Sequence, residues 1–171
     1  MKSLAFISIL LVATAAYGQK KRLSNEDFYV PSKNVTSTEK PTSFGWLTGA
    51  SGFREVVNHH KQLSLPMIVY FYTDWCGYCK ALDGRLLNSE QVESFLKAIP
   101  RVRINPESGK DENELARGFS ITGYPSFFVI SASGHKERIN PFRRTASGVT
   151  TTMTPEEFID AVKTVAYKST P

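Results

Sequence analysis

Residues 75–80 read Trp75-Cys76-Gly77-Tyr78-Cys79-Lys80 and hold both cysteines of a 171-residue chain. Just before them runs Met67-Ile68-Val69-Tyr70-Phe71-Tyr72. That run is β-branched and aromatic throughout, without alternation, as in a strand buried on both faces. Just after them Cys79, Leu82 and Leu86 recur at helical spacing, which predicts a helix from about Cys76 to Leu87. The cysteine pair therefore falls at a strand-to-helix junction. A separation of three positions lets the two sulfurs meet in a small ring at a helix start, where free backbone N–H groups favour an anion. A cysteine so placed can have a pKa anywhere from ~3.5 to ~7.5. Cys76, expected to be the more exposed member at the tip, is the expected thiolate. It would attack a disulfide, and Cys79, one turn further in, would then attack Cys76 and release the reduced substrate.

Outward from this point the chain alternates strands and helices. Upstream, Phe53, Val56 and Val57 fall at i, i+3, i+4 and predict a helix with one buried stripe. Downstream, Asn88 can cap a helix carrying Val92, Phe95, Leu96 and Ile99, which Pro100 ends. Arg101 to Asn105 alternates as a strand. Asp111-Glu112-Asn113-Glu114 has capping-box spacing and predicts a short helix through Phe119. Ser126 to Ile130 is an apolar strand, and Lys136 to Asn140 is its hairpin partner across the Ser131–Gly134 turn. Residues 141–153 read as a loop rich in Arg, Ser and Thr. Thr154-Pro155-Glu156-Glu157 starts a last helix with Phe158, Ile159, Val162 and Val165 on its apolar face. The order α-β-α-α-β-α-β-β-α argues for an α/β sandwich with parallel strands inside and a terminal antiparallel hairpin.

Residues 75–80 resemble the active site of the thioredoxin family, which usually has proline where Tyr78 stands. Ile121-Thr122-Gly123-Tyr124-Pro125-Ser126-Phe127 resembles its second signature, a loop that ends in a cis-proline just before a strand. The resemblance covers about residues 44–167. It implies a three-layer α/β/α sandwich with a mixed central sheet. It also implies Cys76 as nucleophile, Cys79 as resolving cysteine, Pro125 cis and packed on the disulfide, and the backbone of Tyr124 bonded to substrate. Trp75 would shield the site and join in docking, with Gly77, Tyr78 and Lys80 completing its surroundings. The family's buried acidic position, six residues before the first cysteine, falls on Tyr70, and Asp74 and Glu90 are the candidates to replace it. With Tyr78, a bulky Tyr124, the Gly45-Trp46 opening and the longer linker before Pro66, the chain resembles secreted or periplasmic members, including disulfide-reducing partner domains, more than cytosolic thioredoxin.

The ends of the chain add an address. Lys2 precedes an uncharged run, Leu4 to Ala16, shorter than the ~20 apolar residues a spanning helix needs. Ala16 and Gly18 place small residues at −3 and −1 of a cut before Gln19, the pattern of a secretory signal peptide over residues 1–18. Residues 19–43 read as a flexible polar leader, with a glycosylation sequon at Asn34-Val35-Thr36, and residues 44–171 as the domain. Secretion across the cytoplasmic membrane, to a periplasm, is the expected destination, and after signal cleavage no membrane association is expected.

Composition narrows the function. Hydrophobic residues are 41% and charged residues 22%, a soluble globular mixture. A net charge of +5 is too small to argue for nucleic acid. No phosphate loop, dinucleotide fingerprint or Gly-x-Ser-x-Gly occurs. The expectation is an enzyme, a thiol–disulfide oxidoreductase whose only redox group is the Cys76–Cys79 pair, with no cofactor and no resident metal. It would act on protein thiols and disulfides, more as a reductase than an oxidase, and be recharged by a membrane or soluble redox partner. The alternative is a copper carrier that uses the two thiolates. Zinc held with His59 and His60 is disfavoured, because adjacent helical side chains diverge by about 100°. Arg143 and Arg144 read as a solvated pair able to dock an acidic partner.

Overall fold

Met67–Phe71 (β2) is buried at every position, with Ile68 and Tyr70 in one apolar cluster and Met67, Val69 and Phe71 in another. Both faces of this strand are therefore covered, as its unbroken apolar run requires. The structure, a computed structural model, describes residues 43–168. The expected signal peptide, the sequon and all of the leader except Ser43 lie outside them.

Around β2 a five-stranded sheet is built in the order β1-β3-β2-β4-β5. Trp46–Thr48 (β1) and Arg101–Ile104 (β3) run parallel with β2, while Ser126–Ile130 (β4) pairs with β2 antiparallel, Val69 opposite Phe128. Lys136–Ile139 (β5) closes the edge antiparallel to β4. Gly49–Leu63 (α1) and Lys110–Gly118 (α4) cover one face, with Phe53, Val56, Val57 and Leu115 inward. Gly77–Leu82 (α2), Glu90–Leu96 (α3) and Pro155–Ala166 (α5) cover the other, with Leu82, Val92, Phe158 and Val162 inward. This is the expected three-layer α/β/α sandwich with a mixed sheet.

Several local expectations hold. The α5 start is a capping box, with Glu157 N–H donating to Thr154 Oγ1 and Thr154 N–H donating to Glu157. Others are corrected. β1 carried no usable period at three residues. The helix predicted over 76–87 changes after Leu82 into a π-helical turn, Asp83–Leu87, closed by Asn88 N–H on the Asp83 carbonyl. The wider turn lets Leu82, Leu86 and Leu87 all be buried. Ser89, not Asn88, caps α3.

The acidic run at 111–114 does not cap its own helix, whose N-cap is Gly109. Glu112 reaches instead to α1, where its carboxylate accepts the Ala50 N–H at 2.9 Å. Gly49 at that junction has φ +66°, and a Cβ there would lie 2.9 Å from Glu112 Oε1, so glycine is required. The loop read over 141–153 contains a two-stranded antiparallel hairpin, Phe142–Arg144 (β6) with Thr150–Thr152 (β7).

Candidate active site

β2 delivers the chain to the site at its C-terminal end. Cys76 is the N-cap of α2, and its Sγ accepts the Cys79 N–H at 3.1 Å. The two cysteines form a disulfide, with Cα atoms 5.2 Å apart. Cys76 is the more exposed of the two, as expected, yet both are buried. It is 5% exposed and Cys79 2%, because Cys76 N–H bonds to the Thr73 carbonyl and both sulfurs join the apolar cluster under α2. Exposure falls instead on the two flanking rings, Trp75 at 66% and Tyr78 at 57%.

The Tyr124–Pro125 peptide is cis. Tyr124 packs against the clusters on both sides of the sheet, and its ring meets Trp75 edge-on at 6.0 Å. Burial, and next the Glu107 carboxylate, lift the Tyr124 hydroxyl above its usual pKa. The Trp75 Nε1–H donates to Glu107 at 2.9 and 3.1 Å. Glu107 is itself oriented by Asn105, whose side-chain oxygen accepts the Glu107 N–H and whose amide donates to Asp74 at 3.3 Å. Tyr78, on the other side, stands edge-on to Phe142 of β6 at 5.3 Å. Gly77 and Lys80 are exposed, and a Cβ on Gly77 would meet nothing within 4 Å.

Tyr70 is wholly buried, with its hydroxyl unpartnered among the described residues. Neither candidate replacement for the family's buried acid is drawn in. Asp74 is exposed, and Glu90 lines a groove between α3 and α5. The carboxylate that comes near Tyr70 is Asp83, four residues beyond Cys79 on the helix. It accepts from Arg103 at 2.9 Å. The Arg103 guanidinium lies over the rings of Trp46, Tyr70 and Tyr72 at 5.0, 5.5 and 5.7 Å. Burial lifts the Asp83 carboxyl above its ordinary pKa against the opposing pull of Arg103. Burial, and then Asp83, push the Tyr70 hydroxyl up strongly. The i+4 spacing from Cys79 was the one sequence signal for Asp83. Glu107 and Phe142 had none, since neither lies near residues 75–80 in sequence.

His59 and His60 lie on α1, across the sheet from the disulfide. The His59 ring rests against Phe44, and His60 Nδ1 lies at the Leu65 carbonyl. No group of three or more His, Cys, Asp or Glu is placed to hold a metal ion among the described residues. No helix among them is long and apolar enough to cross a membrane.

The thioredoxin family pattern matches residues 46–155, and the chain belongs to this family of thiol–disulfide oxidoreductases, with its paired-cysteine site at Cys76 and Cys79. It is 33% identical over 101 residues to the probable thioredoxin-2 of Caenorhabditis elegans, a match that covers 59% of this chain and 61% of that protein. It is 25% identical over 129 residues to the thiol:disulfide interchange protein DsbD of Colwellia psychrerythraea, over 72% of this chain and 21% of that one. The match thus spans less than two thirds of either relative's length. The oxidised C-terminal domain of DsbD from Neisseria meningitidis superposes with a TM-score of 0.56 at 17% identity, covering 71% of this chain and 99% of that domain. A thioredoxin from Thermus thermophilus gives 0.53 at 22%, covering 72% and 87%. At these identities the structural likenesses speak for the fold.

Proposed function

We propose that the protein is an extracytoplasmic thiol–disulfide oxidoreductase, working in a periplasm as a reductase of protein disulfides. The observation that carries the redox reading is the Cys76–Cys79 disulfide at a helix start, with the Cys79 N–H aimed at Cys76 Sγ. In the dithiol form that N–H stabilises a Cys76 thiolate. The thiolate attacks one sulfur of a substrate disulfide, and the other sulfur leaves as a thiolate. Cys79 then gives up its proton, attacks Cys76 Sγ and expels the second substrate thiolate. Two electrons pass to the substrate, and the protein is left as the disulfide. A dithiol partner, membrane-embedded or soluble, must return them. No further cofactor is needed, because the sulfur pair holds both electrons.

Trp75, Tyr78, Tyr124 and Pro125 form the docking surface around the sulfurs, with Gly77 and Lys80 at its margin. The signal-like segment at residues 1–18 supports export, and likeness to a protein named for thiol:disulfide interchange supports the chemistry. The placement of both α1 histidines across the sheet counts against a metal carrier that would recruit them.

The deciding measurement is the reduction potential of the pair in glutathione or dithiothreitol buffers. A reductase predicts about −250 mV or lower, and a value of about −120 to −180 mV would replace it with an oxidase or isomerase. Absence of any reversible disulfide would overturn the redox reading itself. N-terminal sequencing of the exported protein is expected to begin at Gln19, and a chain beginning at Met1 overturns cleavage.

A further inference from the structure

The two sides of the disulfide carry opposite charge. On the Trp75 side stand Glu107 and, through Asn105, Asp74. On the Tyr78 side a cavity of about 250 Å³ opens between α2 and the β6–β7 hairpin. Gly77, Tyr78, Ala81 and Arg85 line it from the α2 side, with Gly77 at the end next to Cys76, and Phe142 and the threonines of β7 line it from the hairpin. Among the described residues that line it, Arg85 alone is charged, and among the described residues it forms no ion pair.

A second guanidinium faces the same way. In the hairpin register Phe142 pairs with Thr152 and Arg144 with Thr150. Alternation puts these four side chains on one face, the face on which Phe142 meets Tyr78. Arg144 Nε donates to the Gly148 carbonyl at 3.1 Å, which fixes the group beside the hairpin tip. Arg143 lies on the opposite face and pairs with Glu157 at 3.4 Å.

We propose that this cavity is a docking subsite for the polypeptide of a disulfide-bearing protein substrate, and that Arg85 and Arg144 select substrates with an acidic residue beside the reacting cysteine. This rests on the redox reading above. Gly77 follows Cys76 directly, so a chain joined to Cys76 by a mixed disulfide places its next residues at the cavity mouth, at up to about 3.6 Å per residue. An acidic side chain there finds uncompensated guanidinium charge. The same side chain on the Trp75 side meets Glu107 and Asp74. Attraction on one flank and repulsion on the other set both the preference and the direction in which the substrate chain lies.

The test uses two synthetic peptides, each with one cysteine in a mixed disulfide with 2-mercaptoethanol, flanked by glutamates in one and by lysines in the other. Their reduction by the dithiol form of the full protein is followed as peptide thiol released. At low salt the glutamate peptide is expected to react at least about fivefold faster, with the ratio shrinking as salt rises. The double variant Arg85→Glu, Arg144→Glu should invert the ratio, which is internal to each protein and so cancels any general loss of activity. A wild-type ratio near one, or a ratio that the double variant leaves unchanged, overturns the proposal.

Fluorescence anisotropy with the same peptides carrying serine for cysteine reads docking without chemistry. Tighter binding of the glutamate peptide, lost in the double variant, supports the subsite, and equal binding of both peptides overturns it. Failure of the wild-type protein to reduce bis(2-hydroxyethyl) disulfide would sink the redox reading instead, and the anisotropy would still decide the docking.

Discussion

Trp75 and Tyr78 are similarly exposed rings that bracket one disulfide, yet they are held in different ways. Trp75 is tied by its indole N–H to Glu107, and its edge-on partner Tyr124 belongs to the loop that enters β4. Those partners follow β3 and precede β4, strands whose register with β2 is fixed by the core. Tyr78 rests on Phe142, which belongs to a hairpin of two three-residue strands outside the main sheet. One flank is therefore part of the scaffold, and the other is an addition to it. A hairpin with few buried contacts can change its side chains at little cost to the core, so specificity is more freely adjusted on the Tyr78 flank.

The strongest way to test the comparison is to remove the chemistry that both flanks serve. Cys76→Ser should abolish disulfide exchange, measured as thiol released from a protein disulfide. Cys79→Ser should leave Cys76 able to attack and so accumulate mixed disulfides, seen on non-reducing gels. Full turnover by the Cys79→Ser protein would reverse the two roles.

Next in size is Phe142→Ala, which takes away the ring beneath Tyr78. Loss of a half-buried aromatic pair should lower stability by roughly 1–2 kcal/mol in denaturant titration. Peptide reduction should slow while the fluorescence of Trp75 stays unchanged. A change in the Trp75 signal of equal size would mean that the flanks are not separate units.

Glu107→Gln makes a smaller change on the scaffold flank. Glutamine still offers an acceptor to the indole but loses the charge, a difference of about 0.5–1 kcal/mol. With that charge gone, the Tyr124 hydroxyl should titrate nearer its usual pKa, which ultraviolet titration reads directly. An unmoved Tyr124 titration would separate Glu107 from this flank.

The smallest effect concerns Asp83, at the turn after α2, paired with Arg103 and near Tyr70. Its carboxyl is raised on folding, chiefly by burial. The folded state then holds its proton to higher pH than the unfolded chain does. Stability contributed by this group is thus full below the unfolded pKa and falls as pH climbs through the folded one. Asp83→Asn should flatten the loss of stability across that acidic range in denaturant titrations, and an unchanged slope would remove Asp83 from the account.

Much of this was readable along the chain because the signals are local. The unbroken apolar run of β2, the Phe53-Val56-Val57 stripe and the Thr154–Glu157 box each report their own element. The paired cysteines report the site for the same reason, since both lie in one six-residue stretch. Where a residue's partner is distant, the local reading misled. Glu112 looked like a cap for its own helix and caps α1 instead. The 141–153 segment looked like a loop because its strands are short and polar.

By itself the sequence determined the class of fold, the two sulfurs and the proline loop, because periodicity and short motifs are properties of neighbouring residues. Only the tertiary structure decided that Cys76 is buried, that Asp83 lies near Tyr70, and that Glu107 and Phe142 hold the two exposed rings. Those facts depend on which strands pair and in what register, and no window of neighbouring residues contains that information.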